Sequence, residues 1–592
     1  MTSGTLRSRR RSRTVIAIAL LALTLGCSAL PESGPIHLNP AAGTLTPDDS
    51  TLFSAPGPGR GDTRLEIVNG FLTAMTSNPL TTSVARTFLT RSAAAAWNPN
   101  QSTLIYQVFS ANEASADVVS VRLSAAQRLD SRGGWLGSVG GDSRLRLRMV
   151  REGGQWRIAN PPDAVVIPAW YLERQFRPFN LYFFDQTERV LVPDRVYIPR
   201  GDQTSSSLVR ALLSGPGADV APVVRTEFPP QTQLDLSVPV APDGTAEVPL
   251  SDQMLKLSPE KLTRAVAQLA WTLRQVPGLT RLRITVRGMT VPLPDGRRDF
   301  SVQEGDAFAP TIQGADDRLF GLRRGRVVAI RAGVEQPVPG QLGGGFSLRS
   351  LGVRLDGRSI AAVASDGGTV FVASSDDAAS SPAAAKPHRV YAGSDVLRPA
   401  YDMFGGLWLV DRTSAGSRIV LLAGGQTTTV SIPGISGHPV NAFVISRDGT
   451  RLVALVDGAG KGDRLVIASL LRTADGTFSH ASAATEIGGL PSDLGNLRDL
   501  AWRSPNDLAV LGLPTRGRSE VAFVTTDGSP GDPTTLPPDS WLGNAVGLAG
   551  SPDSTLPLYL VTPGRQLLRL DASSRWRSSE VAKGLLTPAY VG

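Results

Sequence analysis

Hydrophobic residues recur at helical spacing where the first folded segment of the chain begins. Leu65, Val68, Leu72 and Met75 follow one another at steps of three and four, which places them on one face of a helix. Short, partly alternating runs typical of strands follow at residues 104–109, 116–123, 144–150 and 155–158. Helices followed by an antiparallel sheet predict an α+β domain, which we place at residues 63–187.

A second module, placed at residues 188–299, combines both patterns. Apolar residues alternate at 234–240 and again at 246–250, on either side of Asp243-Gly244, which predicts a β-hairpin. Ser258 as an N-cap, with Pro259 at the first helical position, predicts the start of a helix with one continuous apolar face. Pro277-Gly278 ends that helix before a further strand, so we expect an α/β domain.

The remaining residues, 300–592, repeat loosely and contain no long helical pattern. Apolar strand pairs are centred on five tight turns, which are Asp356-Gly357, Gly405-Gly406, Asp448-Gly449, Pro505-Asn506 and Pro552-Asp553. The turns follow one another at intervals of 43 to 57 residues, which is typical of four-stranded propeller blades with loop insertions. With a further apolar run at residues 319–327, we expect a linker and an all-β propeller of five or six blades.

Each module also resembles a known domain type. The order of Phe71-Leu72, Trp97 and a closing strand at 155–158 resembles nuclear-transport-factor-2-like (NTF2-like) domains, which implies a curved sheet around a pocket. The phrases LLSGP at 212–216 and TLRQVPG at 272–278 resemble the GerMN domain of spore-germination proteins, which implies a binding module. Residues 445–452 resemble the hairpins of TolB-type propellers, and we expect Asp448-Gly449 to form a tight turn rather than a metal or catalytic site.

The first 27 residues are strongly asymmetric in charge and hydropathy. Five arginines within residues 7–13 precede an apolar run at 15–25, and the first 26 residues contain no acid. A helix over that run, rising ~1.5 Å per residue, would cover about half of a ~30 Å hydrocarbon core. The segment therefore predicts an export signal rather than a permanent membrane span.

The chain's only cysteine, Cys27, directly follows this signal. LTLGC at residues 23–27 resembles a bacterial lipobox, with Thr24 and Leu25 departing from its usual residues. The resemblance implies cleavage after Gly26 and an N-palmitoyl, S-diacylglycerol Cys27 on the extracytoplasmic face of the cell membrane. Arg9-Arg10 raises the twin-arginine route, but the next two residues are not apolar, so general secretion is favoured. Residues 27–62, rich in proline, predict a flexible tether.

Composition narrows the chemistry further. Without the five leading arginines the formal net charge falls from +8 to +3, and no basic stripe interleaved with aromatics occurs, so we expect no nucleic-acid partner. One cysteine and four scattered histidines do not supply the ligands of a zinc site. Gly-x-Ser-x-Gly and His-Glu-x-x-His motifs are absent, and residues 458–462 lack the spacing of a phosphate loop. We expect no catalytic residues, no cofactor, no metal and no enzymatic activity.

The order of signal, lipidated Cys27, tether, α+β domain, GerMN-like domain and propeller resembles the LpqB family of actinobacterial lipoproteins across essentially the whole chain. The resemblance implies a partner, because proteins of that family are associated with the MtrA/MtrB two-component system and are held to contact the extracellular part of the sensor kinase. We therefore expect a membrane-anchored protein that binds and modulates an MtrB-like sensor histidine kinase, influencing cell-wall homeostasis and division.

Two alternatives remain open from the sequence. One is a lipoprotein that binds an envelope glycan or another envelope ligand. The other is a propeller hydrolase, which would require two or three carboxylates to converge at the central channel. Sequence spacing identifies no such carboxylates among the 52 acidic residues.

Overall fold

The computed structural model describes residues 54–592 except 141–142, 339–341, 343–346, 376–385, 459, 461, 515–517, 540, 542 and 581–582. All of these described residues belong to one compact unit, Leu52–Gly592. The export signal, Cys27 and most of the expected tether lie outside them. The described part of the chain is multidomain and mostly β, with few helices.

The first module packs helices against two four-stranded sheets, with strand orders β5-β4-β1-β8 and β2-β3-β6-β7. Its elements are α1 Arg64–Ala74, α2 Ser83–Thr87, α3 Arg91–Ala96, a 3-10 turn Pro99–Gln101, β1 Thr103–Tyr106, β2 Phe109–Ser115, β3 Val118–Leu123, β4 Gln127–Leu129, β5 Trp135–Ser138, β6 Ser143–Glu152, β7 Gln155–Ile158, β8 Val165–Pro168 and α4 Ala169–Gln175. A capping box between Thr63 and Glu66 begins α1, and Phe71 on its buried face packs against Trp97. The predicted α+β order of helices before strands is present.

The second module has a central helix, α6, packed against a long hairpin and a small mixed sheet. Its elements are β9 Phe176–Asp185, β10 Leu191–Pro199, α5 Thr204–Leu213, β11 Val224–Arg225, β12 Thr245–Pro249, a 3-10 turn Asp252–Lys256, α6 Pro259–Leu273, β13 Arg281–Val286, β14 Met289–Thr290, β15 Phe300–Ser301 and a 3-10 turn Asp306–Phe308. Ser258 caps α6 as predicted, since its hydroxyl accepts from the Lys261 N–H. Leu269 and Leu273 are fully buried on the apolar face.

The boundary between the first and second modules, expected at residue 188, falls inside the β9–β10 hairpin. Strand β9 pairs with β10 over its whole length, and Leu181 and Phe183 join the core of the second module. The periodicity of the sequence could not show this, because both strands are nearly continuous apolar runs that suit a core on either side.

The hairpin expected around Asp243-Gly244 is only partly formed. Gly244 has φ 81°, as the turn requires, and isolated bridges join Leu234 to Leu250 and Val240 to Ala246. Residues 234–240 do not form a continuous strand, because Pro239 has no N–H to donate. Strand β12 instead pairs in parallel with β13, so the helix α6 is the crossover between them.

Six antiparallel sheets occupy the described residues from 319 to 589. Their strands are β16 Leu319–Arg323, β17 Arg326–Arg331, β18 Val334–Pro337, β19 Leu348–Val353, β20 Ser359–Ala364, β21 Thr369–Ser374, β22 His388–Ala392, β23 Ala400–Tyr401, β24 Leu407–Thr413, β25 Gly416–Ala423, β26 Gln426–Val430, β27 Val440–Ile445, β28 Arg451–Val456, β29 Arg464–Arg472, β30 Phe478–Ala481, β31 Thr485–Glu486, β32 Leu494–Ser504, β33 Asp507–Pro514, β34 Glu520–Thr525, β35 Gly547–Ala549, β36 Tyr559–Val561, β37 Leu567–Leu570, β38 Trp576–Ser578 and β39 Leu586–Ala589. All five predicted turns fall between the first two strands of their sheets.

The innermost strands of these sheets contact one another in sequence. Strands β19, β23, β27, β32 and β35 each touch the next, β35 touches β39, and β39 touches β19. The C-terminal strand β39 is also the fourth strand of the first sheet, where it pairs with β16. The two ends of this region are therefore held together by backbone hydrogen bonds, and the six inner strands surround a narrow channel.

Candidate functional site

The site residue predicted from the sequence, Cys27, lies outside the described residues, so its lipidation stays a prediction. The loop at 458–462 is described only in part. Within the described ranges, no group of three or more His, Cys, Asp or Glu side chains is placed to hold a metal ion. No helix in those ranges is both long enough and apolar enough to cross a membrane.

The carboxylate of Asp448 has a structural role in its turn. The Asp448 carboxylate, 2% exposed, accepts from the Ser446 hydroxyl, from the N–H and hydroxyl of Thr450, and from the Arg451 guanidinium at 2.9 Å. Burial opposes its ionisation, but the charge of Arg451 and these hydrogen bonds hold the pKa of Asp448 below its ordinary value. Its oxygens are therefore committed to the turn, as expected for a structural Asp-Gly pair.

The neighbouring Arg447 closes one end of the channel. Its guanidinium donates to the carbonyls of Thr311 and Val591 and to the Ser551 hydroxyl, at 3.1 to 3.2 Å. No carboxylate pairs with it among the described residues, and burial lowers its pKa to about 10. Arg447 is therefore still protonated at neutral pH, a buried cation at the bottom of the channel.

The opposite end of the channel opens into a cavity of about 460 Å³, which we call the arginine rim. Its five cationic lining residues are Arg349, Arg398, Arg412, Arg498 and Arg565. They come from four different sheets and lie in the inner strands, at the end of the second strand β24, or on loops beside these strands. Arg398 also lines the narrow channel that leads down to Arg447, so the rim and the closed end are continuous.

Three rim arginines are paired, and two are not. Arg349 and Arg412 share Asp395, at 2.7 and 2.5 Å, and Arg398 lies 2.6 Å from Asp499. For Arg498 and Arg565, which are exposed, no ion pair or side-chain hydrogen bond occurs within the described part of the chain. The rim therefore keeps an excess of positive charge.

The rim also tests the hydrolase alternative. Of the described residues that line the rim and the channel, Asp499 is the single carboxylate. It is 6% exposed and accepts from Arg398 and from the Leu548 N–H. The pair of carboxylates that glycoside hydrolysis needs is not found along this wall.

The second module contacts the propeller region at the end away from the rim. Arg195 of β10 forms a 2.7 Å ion pair with Asp507, and Asn180 of β9 accepts from Asn506 at 3.0 Å. Both partners lie at or just after the turn that follows β32, whereas Arg498 and Asp499 lie nearer the start of that strand. About six residues of extended strand separate them, which corresponds to roughly 20 Å. The rim is not covered by these contacts.

The sequence held no signal for the rim. Its arginines are spread over more than 200 residues, and each is isolated in its own strand or loop. Only the ring of inner strands brings them together.

The described fold defines a class of protein: a multidomain, mostly β chain in which a germination-type domain precedes a propeller-type domain. Residues 57–172 match the family described as "Lipoprotein LpqB, N-terminal domain", residues 180–292 match "Sporulation and spore germination", and residues 325–591 match "Lipoprotein LpqB beta-propeller domain". These three matches cover the described modules in order.

Similar whole proteins agree with these matches. "Lipoprotein LpqB" of Streptomyces coelicolor is 30% identical, over 99% of this chain and 98% of its own length. "Lipoprotein LpqB" of Thermobifida fusca is 29% identical, over 88% of this chain and 91% of its own. The chain belongs to the LpqB lipoprotein family.

Proposed function

We propose that this chain is a membrane-anchored, extracytoplasmic lipoprotein that binds and modulates an MtrB-like sensor histidine kinase, and thereby influences cell-wall homeostasis and division. The observation that carries the proposal is membership of the LpqB family along 99% of the chain. The residues add support, since the positions where chemistry was sought hold structural hydrogen bonds instead.

Anchoring rests on Cys27, which follows the apolar run at residues 15–25. One acyl chain anchors marginally, whereas the three chains of a mature bacterial lipoprotein anchor stably. Confinement to the membrane raises the effective concentration of the chain near the extracellular part of a kinase. Cys27→Ala should therefore release the chain into the soluble fraction with its fold intact, as measured by fractionation and circular dichroism. Membrane retention of a processed Cys27→Ala chain would contradict the anchor.

The finer fold assignments also belong to this proposal. We infer a closed six-bladed propeller from the ring of contacts among the inner strands and from the pairing of β39 with β16. We also infer an NTF2-like first domain, supported by α1 packing against the strands of a four-stranded sheet. Both provide rigid surfaces on which a partner can dock.

The second module offers an apolar surface for a protein partner. Leu255 and Met289 are 60% and 68% exposed. An ion pair between Asp252 and Arg287 joins the short turn that contains Leu255 to the strand end that precedes Met289. Both are exposed apolar side chains on elements that this ion pair connects, and methionine is enriched in protein interfaces.

The test is the affinity of residues 52–592 for the extracellular domain of the cognate kinase, by calorimetry. We expect saturable binding that Leu255→Ser with Met289→Ser weakens. As a matched control, Val334→Ser changes a residue of the propeller that is also 60% exposed, and should leave binding unchanged. The measurement is repeated with both proteins tethered to one bilayer. Absence of binding in solution and on the bilayer would refute the kinase partnership.

A further inference from the structure

The arginine rim is built as a binding site, yet neither the lipid anchor nor the kinase partnership uses it. Five of its lining residues are arginines and one is an aspartate. The excess of positive charge survives pairing, because Asp395 serves two arginines at once and Asp499 serves a third. Arg498 and Arg565 have no ion-pair partner among the described residues.

Unused hydrogen-bonding atoms line the same cavity. Ser350 Oγ, Thr587 Oγ1 and Arg412 Nε are buried and have no hydrogen-bond partner among the described residues. Buried polar atoms without partners also occur away from the rim, for example at Arg447 Nε and Arg451 Nε, so the three rim atoms support a binding site only together with the excess of positive charge. Thr587 also has φ 45°, an unusual backbone conformation for a β-branched residue. Such outliers concentrate at binding sites, where the surrounding structure holds them in place.

The cationic groups of the rim are all arginines, as are 55 of the 60 basic residues of the chain, so the chemistry of the guanidinium group decides which anion fits. The planar guanidinium presents paired N–H donors that match the oxygens of a phosphoryl group, and it is more weakly hydrated than an ammonium. Arg447 adds a buried cation without a carboxylate partner at the bottom of the channel. The field inside a narrow, low-dielectric cleft lined by one sign of charge is focused towards an incoming anion.

We propose that the arginine rim binds a phosphate-bearing ligand of about the size of a sugar phosphate. The phosphoryl group contacts Arg498 and Arg565, for which the described part of the chain supplies no ion-pair partner. The hydroxyls of the ligand face Ser350 and Thr587. A volume of about 460 Å³ lies within the range of small-ligand sites, roughly 300–1,000 Å³. The rim lies at the far end of the channel from the second module, so the ligand and that module do not compete for it.

The experiment titrates glucose 1-phosphate, inorganic pyrophosphate and, as a neutral control, glucose into the full-length chain in detergent, by calorimetry. We expect saturable binding of both phosphates and none of glucose. Arg498→Gln with Arg565→Gln should weaken phosphate binding at least about tenfold, because two charge-assisted contacts are lost. Raising the salt concentration should weaken the binding to the unmodified chain more than the binding to this variant.

A matched variant separates local contacts from net charge. Arg146→Gln with Arg326→Gln also removes two exposed cations, one from the first module and one from the outer part of the first propeller sheet. This control should bind as the unmodified chain does. The proposal is overturned if neither phosphate binds, if glucose binds equally well, or if the control loses as much affinity as the rim variant. If the double rim variant fails to fold, Arg565→Gln alone carries the test. None of these measurements involves a kinase, so their outcome is separate from that of the proposed partnership.

Discussion

The two ends of the propeller channel use the same residue type in opposite ways. At the closed end, Arg447 and Arg451 are about 5% exposed, and their guanidinium groups donate to carbonyls, hydroxyls and Asp448. At the open end, Arg498 and Arg565 are exposed and have no partner in the described structure. The protein supplies most of the hydrogen bonds of these two buried arginines, although the Nε of each has no partner among the described residues. An exposed arginine that faces a cavity is solvated by water and can bind a ligand instead of a protein partner.

This difference separates the end of the channel that stabilises the fold from the end that is free to bind a ligand. The closed end joins the turn after β27 to Ser551 and to Val591 near the C-terminus, and it thereby ties together segments far apart in sequence. At the rim, ion pairs also connect neighbouring sheets, but the unpaired Arg498 and Arg565 add an excess of charge that disfavours the empty protein through repulsion. Substitutions at the closed end should therefore change the free energy of unfolding, whereas substitutions at the open end should change the affinity for a ligand.

The largest effect is expected for Asp448→Asn. The substitution removes the charge that balances Arg451 in a site where both side chains are about 5% exposed or less. Breaking a buried ion pair from one side costs roughly 3–5 kcal/mol, and the hydrogen bonds that Asn retains place the expected loss near the lower bound. The measurement is the free energy of unfolding from denaturant titration.

Asp553→Asn is the matched control for that change. Asp553 lies in the corresponding turn of the sixth sheet and accepts from Thr555, but no ion pair to it is formed within the described residues. Its loss should cost less than about 1 kcal/mol. Equal destabilisation by the two substitutions would show that the ion pair between Asp448 and Arg451 does not contribute to the stability of the closed end.

The loss of stability caused by Asp448→Asn should depend on pH, because the charge of Asp448 stabilises the fold. The pKa of Asp448 is held below its ordinary value in the folded chain, so the unfolded chain binds the proton first as the pH falls. The stability that Asp448 contributes is complete above about pH 3.9, the unfolded value, and is lost as the pH falls through the lower folded value. The difference in unfolding free energy between the two chains should be constant from pH 8 to 5 and shrink below pH 4. A difference that grows on acidification would reverse the assigned direction.

Much of the fold follows from local pattern. The capped helix α6 and the five turns of the propeller region lie where the sequence predicts them, because caps, Asp-Gly pairs and apolar periodicity act over a few residues. The hairpin at 234–240 was only partly predictable. Its alternation is genuine, but Pro239 and the parallel pairing of β12 with β13 decide the outcome, and that pairing is a long-range choice.

The rim shows why a site can escape sequence analysis. Arg349 and Arg565 are 216 positions apart, and each looks like an ordinary surface arginine in its own strand or loop. Contacts between successive inner strands bring them to one cavity, and no motif spacing encodes those contacts. The ion-pair partner of Arg349, Asp395, is also 46 positions away in the sequence. Local reasoning therefore finds turns and caps, and misses sites assembled from single residues of many strands.

Asp499→Asn, at the rim, should lower the stability moderately and raise the affinity for phosphate. Asp499 accepts from Arg398 at 2.6 Å and from the Leu548 N–H at 2.8 Å, so the substitution weakens both contacts and costs about 1–2 kcal/mol of stability. The same change removes the only carboxylate among the described rim residues and leaves Arg398 without its ion pair. Phosphate affinity should therefore rise severalfold, as measured by the same calorimetric titration. A parallel fall in stability and affinity would mean that Asp499 chiefly positions Arg398 for the ligand.

The smallest effect on stability is expected where the effect on binding is largest. Arg498→Gln with Arg565→Gln breaks no ion pair or side-chain hydrogen bond within the described structure, so the free energy of unfolding should stay within about 0.5 kcal/mol of the unmodified chain. A slight gain is the expected direction, because repulsion among the rim arginines is relieved, and the gain should vanish at high salt. A loss above about 1 kcal/mol would show that these two arginines hold the rim together, and the contrast between the two ends of the channel would then disappear.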